Sequence, residues 1–84
     1  MMTLTLVCLL SFGSWTPPEG WTVAAVEPGH MASAIILTPT LPHRADWTRS
    51  DNGTPTRVTI QRRQKVGEPL FVPPTCHVET VTTQ

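Results

Sequence analysis

Apolar residues are spread unevenly along this chain. They gather first in an N-terminal run, where Leu4, Leu6, Val7, Cys8, Leu9, Leu10 and Phe12 stand in a stretch with no charged side chain as far as Ser14. Pro17, Pro18 and Glu19 stop the run well short of the roughly 20 residues that a helix needs to cross a bilayer. The pattern predicts a secretory signal peptide or apolar leader over residues 1–13, with Ser11 and Gly13 supplying small residues ahead of a cut at Ser14. The segment before the run lacks the usual Lys or Arg, and the competing reading is a short helix, buried or interfacial, that stays with the chain.

Beyond the leader the apolar positions come in short groups divided by proline and glycine. Residues 14–20, with Pro17, Pro18 and Gly20, read as a linker or turn. Residues 21–26 alternate as a short strand, and Glu27-Pro28-Gly29 closes it. Residues 31–38 contain Ala34, Ile35, Ile36 and Leu37 in series, which predicts a buried strand that Pro39 ends. An extended stretch follows to Arg44, and Asp51-Asn52-Gly53 is the strongest turn signal, because Asn and Gly both accept positive φ. Residues 56–64 alternate Val58 and Ile60 against Arg57, Thr59, Gln61 and Arg63, with Pro55 marking an edge strand. A turn at Val66-Gly67-Glu68-Pro69, a short strand at 70–72, a break at Pro73-Pro74 and a last strand at 76–81 complete the pattern.

Composition narrows what these pieces can build. The chain has 84 residues, 39% of them apolar, with nine prolines and five glycines. Short chains bury the smallest share of their surface, and each proline removes a hydrogen-bond donor. The expected fold is therefore mostly irregular, with a few short β-strands in a small, marginal all-β arrangement. It is partly disordered, and it lies behind an apolar N-terminal segment that is also open to a helical reading. Residues 14–84 are read as a single small segment rich in proline and threonine. Multidomain enzymes, coiled coils and repeat arrays do not fit this length and pattern.

Net charge is zero, but every basic residue lies between Arg44 and Lys65. A field over the whole protein that would steer nucleic acid is thus absent, and only a local patch remains. Arg57, Arg62, Arg63 and Lys65 make that patch, without aromatic residues among them for base stacking. Alternation puts Arg57 and Arg63 on one face and Arg62 on the other, which suits the charged edge of a sheet. Arg62-Arg63 also has the form of a dibasic processing site, and the cluster that of a phosphate contact or nuclear signal. The string from Arg57 to Arg63 resembles the opening strand of phage head–tail adaptor proteins over seven residues. The rest of that family's small β-barrel has no counterpart here, so the resemblance implies nothing further.

Two cysteines tie chemistry to the fate of the leader. Loss of residues 1–13 would leave Cys76 as a free or intermolecular thiol, whereas retention allows a Cys8–Cys76 bridge or two reduced thiols. Asn52-Gly53-Thr54 is an N-glycosylation sequon on the expected turn, relevant to a secreted chain. Pro39-x-x-Pro42-x-Arg44 matches an SH3-type polyproline ligand, the prolines sharing one face and the arginine meeting an acid. Trp15, Trp21 and Trp47 are the candidate contact anchors, since exposed tryptophan carries large contact area.

Catalytic, metal and cofactor motifs are lacking: the three histidines are far apart, and no HExxH, paired CxxC, GxSxG or Gly-rich phosphate loop occurs. The expectation is a small non-enzymatic protein, secreted, acting by binding an unidentified protein partner, with no cofactor, small-molecule substrate or nucleic acid and no membrane span after leader removal. One alternative is an intracellular or viral accessory peptide in the cytoplasm, working through the proline motif or basic cluster. Another is the product of a short reading frame without selected function.

Overall fold

A computed structural model describes residues 1–29, 33–38, 43–45 and 54–83, with the backbone alone described at 12, 33 and 43–45. The apolar N-terminus sets the architecture. It forms strand β1 (Met2–Leu10), followed by β2 (Phe12–Trp15), β3 (Thr22–Glu27), β4 (Ser33–Ile36), β5 (His43–Ala45), β6 (Thr56–Gln64) and β7 (Cys76–Thr83). No helix occurs among the described residues, so the helical reading of the N-terminus is corrected: the segment is a strand.

Side-chain period explains why. Thr3 and Thr5 alternate with Leu4 and Leu6, and in extended backbone this puts Leu4, Leu6, Cys8 and Leu10 on one face, where all four are buried. β1 pairs antiparallel with β6 from Met2↔Gln64 to Leu10↔Thr56, and antiparallel with β7 from Met2↔Thr83 to Cys8↔Cys76. β3 pairs antiparallel with the far side of β6, giving the order β3-β6-β1-β7. β6 is therefore an interior strand, which corrects its reading as an edge. Pro55 stands just before the first ladder residue, where its missing N–H costs nothing, and the exposed Arg57 and Arg63 belong to the outer face of an inner strand.

A second, three-stranded sheet has the order β2-β4-β5, with β2 parallel and β5 antiparallel to β4. Ala34 and Ile36 of β4 join the buried cluster formed by Leu4, Leu6, Cys8, Leu10, Trp21, Val58 and Ile60, and Trp15 packs against it. The strand at residues 12–15 thus takes in the end of the expected leader and the first two residues of the linker expected over 14–20. The reversal lies beyond it, where Gly20 has φ +90° and Trp21 N–H donates to the Pro18 carbonyl at 3.2 Å.

β6 and β7 run parallel to each other on either side of β1, so residues 65–75 must travel the length of the sheet from the Met2 end to the Cys8 end. The strand expected at 70–72 is absent from this crossover: Val72 packs on the core and Pro73 is buried, while Leu70 and Phe71 face out. Its first turn is the expected one, with Gly67 at φ +94° and Lys65 N–H donating to Glu68 Oε1 at 3.0 Å. At the opposite end Gly29 N–H donates to Thr56 Oγ1, and a Cβ on Gly29 would collide with the backbone of Thr54 and Pro55. That close approach, rather than turn geometry, requires glycine.

Both edge strands carry a bulge. In β3 the register shifts between Val23 and Ala25, so Val23↔Ile60 and Val26↔Val58 share the core face. The strict alternation expected for residues 21–26 is thereby broken. The turn expected at Asp51-Asn52-Gly53 lies outside the described residues.

The buried face of β1 should carry the stability. Leu6→Ala is expected to lower the free energy of unfolding by about 2–5 kcal/mol, and Leu9→Ala, exposed on the same strand, by under about 1 kcal/mol. Urea unfolding of both variants checks this; equal effects would contradict a buried, alternating β1.

Candidate functional site

Among the described residues, a disulfide and exposed apolar side chains occur together on the crossover and β7. Cys8 and Cys76 are direct partners in the β1–β7 ladder. Leu9 N–H donates to the Thr75 carbonyl at 3.0 Å, which makes Cys8↔Cys76 a non-hydrogen-bonded pair, the kind in which opposed side chains come closest. Their Cα atoms are 3.9 Å apart and the two sulfurs are bonded. Cys76 is therefore bonded within the chain, and the free or intermolecular thiol expected from leader loss is not found in a chain that keeps β1. Cys8 is fully buried and Cys76 half-buried, so the bond can be approached from the Cys76 side.

Past Cys76, the side chains of β7 are exposed. A bulge opposite Thr5 and Leu6 puts Val78 beside Leu6 and Val81 beside Leu4, on the core face of the sheet. Leu4 and Leu6 are covered, yet Val78 and Val81 remain 41% and 51% exposed. Phe71 on the crossover is 66% exposed and Val66 68%. The crossover and β7 thus carry exposed apolar residues that tryptophan spacing did not reveal. A single Phe in a proline-rich loop gives little signal, and the two valines look out of phase until the bulge is known.

The expected anchors and clusters are distributed differently. Trp21 is buried in the core and Trp15 half-buried against it, so neither is an exposed anchor. Trp47, Pro39, Pro42 and Asn52 lie outside the described residues, and Arg44 is described only as backbone of β5. Arg57 and Arg63 project from the outer face of β6. Arg62, on the other face, comes within 4.0 Å of Glu68, and Lys65 is exposed at the turn that Glu68 also closes. The four bases thus form no single concentrated patch.

A cleft of about 490 Å³ is lined by Thr3, Gly20, Thr22, Gln61, Arg62 and Arg63. It offers hydroxyls, an amide and two guanidinium groups, with no carboxylate, imidazole or thiol to serve as general acid, base or nucleophile. Among the described residues no group of three His, Cys, Asp or Glu side chains is placed to hold a metal. Among the same residues no helix is long and apolar enough to cross a membrane.

The disulfide closes a sequence separation of 68 residues. On a chain-entropy estimate it stabilises the fold by about 4 kcal/mol. Urea midpoints with and without a dithiol reductant should differ accordingly, and coincident curves would contradict the bond's structural role. No family model, curated protein or solved structure matches the chain, so what the site does is read from its own residues.

Proposed function

We propose that this protein is a small, non-enzymatic binding module of a secreted, oxidising setting, and that it contacts a protein partner through the apolar surface around Phe71, Val78 and Val81. The observation that carries the reading is the Cys8–Cys76 bond, because disulfides form and persist outside reducing compartments. It ties down the start of β7, the strand that carries Val78 and Val81. Large exposed apolar side chains carried on a folded sheet are what protein interfaces use as contact points.

The fold also bears on the leader. Cutting after Gly13 would remove β1, Cys8 and four of the nine residues of the buried cluster, so a cleaved leader and this fold exclude each other. In the proposed form residues 2–10 stay with the mature protein.

Expression of the full chain with a C-terminal tag in secreting cells tests this. The expected product in the medium retains residues 2–10 and is two hydrogens lighter than the reduced chain. A product beginning at Ser14 contradicts the retained strand, and a reduced chain confined to the lysate contradicts the secreted reading in favour of the cytoplasmic alternative. Phe71→Ser is expected to reduce crosslinking to the partner by about tenfold or more while leaving the urea midpoint unchanged. Crosslinking that survives both Phe71→Ser and Val81→Thr overturns the proposed contact surface.

A further inference from the structure

We propose that β7 is an exchangeable strand. Thiol–disulfide exchange at Cys76 releases it, and it then docks on β1 of a second copy of this chain, giving a strand-swapped dimer joined by two Cys8–Cys76 bonds between chains. Such an exchange goes beyond the binding role above and stands independently of it.

Three observations lead to it. First, β7 sits at the sheet edge with exposed side chains after Cys76, so it is held by its ladder to β1 and by the disulfide rather than by burial. Little apolar packing holds it back when it leaves. Second, its departure would expose one long side of β1, a nine-residue strand rich in leucine and threonine whose free N–H and C=O groups would then template pairing. The strand that leaves that edge carries a bulge opposite Thr5 and Leu6 and a cysteine opposite Cys8. Another copy's β7 has both, which identifies the occupant. Third, residues 65–75 link β6 to β7 without a strand of their own and contain Pro69, Pro73 and Pro74. Prolines bias this connection toward extended geometry, and eleven extended residues reach at most roughly 36–40 Å. That span lets β7 leave its own sheet while the turn bonded by Lys65 and Glu68 stays in place. Exchange of an identical element between protomers is a low-cost route to dimers, because each interaction broken within a chain is remade between chains.

The chemistry balances without net oxidation. A small monothiol of the glutathione class, as its thiolate, attacks Sγ of Cys76, the less buried of the two cysteines. The Cys8–Cys76 bond breaks, Cys8 leaves as a thiolate, and Cys76 is held as a mixed disulfide. When β7 docks on a second copy, that copy's Cys8 thiolate attacks Cys76 Sγ and expels the small thiolate, which is regenerated. The thiol acts as a catalyst, and each bond broken within a chain is replaced by one between chains.

The test uses the full wild-type chain, prepared with natural nitrogen and with nitrogen-15, mixed in equal amounts at high concentration with a catalytic quantity of reduced glutathione. The products are separated by size and digested under non-reducing conditions. The expected result is a dimer fraction in which about half of the Cys8-to-Cys76 linked peptides are isotopic hybrids, as random pairing of copies requires, with none in the monomer or without thiol. Three results overturn the proposal: monomer alone although the mixed disulfide is detected by mass, a bond that glutathione leaves intact, or dimers linked Cys8-to-Cys8 or Cys76-to-Cys76.

Discussion

β1 lies between two partners. It is hydrogen-bonded to β6 along one side and β7 along the other, and its inward side chains contribute four members of the buried cluster. The rest of the larger sheet is arranged around it. β6 is interior because β1 occupies its free side, β7 stays in the fold through β1, and the crossover 65–75 must lie over β1 because its two ends join strands on opposite sides. A segment that looks like a detachable leader is thus the element on which the topology depends. Such a fold forms late, since the first strand made finds its partners only in the last third of the chain, and pairings so distant in sequence are slow.

The two edges of this sheet solve one problem in similar ways and differ in what covers them. Each carries a bulge, and each bulge turns a pair of valines three residues apart, Val23 and Val26 or Val78 and Val81, onto the same core-facing side. The β3 pair is half-buried against the cluster. The β7 pair is left open, and its strand is secured by a covalent bond near the start of its ladder. The disulfide thus does for β7 part of what apolar packing does for β3, and this makes β7 the strand most sensitive to thiols. The same bulges shorten the regular stretch of free edge and so limit uncontrolled pairing.

How much of this the sequence reveals depends on whether the signal is local. β6 is legible because valine and isoleucine alternate with polar residues, β3 and β7 because short groups rich in valine and threonine stand between turn or proline signals, and the turns at Gly20 and Gly67 follow from glycine's tolerance of positive φ. β1 is harder, because its outer face holds Thr3 and Thr5 and then Val7 and Leu9, so alternation fades into a continuous apolar run, as interior strands tend to show. Its confusion with a leader or a helix follows from that. The interior place of β6, the parallel pairing of β2 with β4, and the face shared by Val78 and Val81 depend on neighbours far away in the chain, and no local window contains them. Cys8 and Cys76 were visible as a pair that retention of the N-terminus would permit, but their opposition in a ladder was not. Trp21 shows the converse: tryptophan suits a contact surface and a core equally, and only packing decides which.

Amide hydrogen exchange on the intact, oxidised chain, read residue by residue, tests the central place of β1 most directly. An interior strand should exchange only through global opening, and edge strands sooner. The account predicts that the slowest amides include Leu4 to Cys8 of β1 together with Val58 to Ile60 of β6, with matching protection, while β3 and the far end of β7 exchange faster. Rapid exchange throughout residues 2–10 alongside a protected β6 would contradict it, because the sheet would then be standing without the strand on which it is claimed to depend.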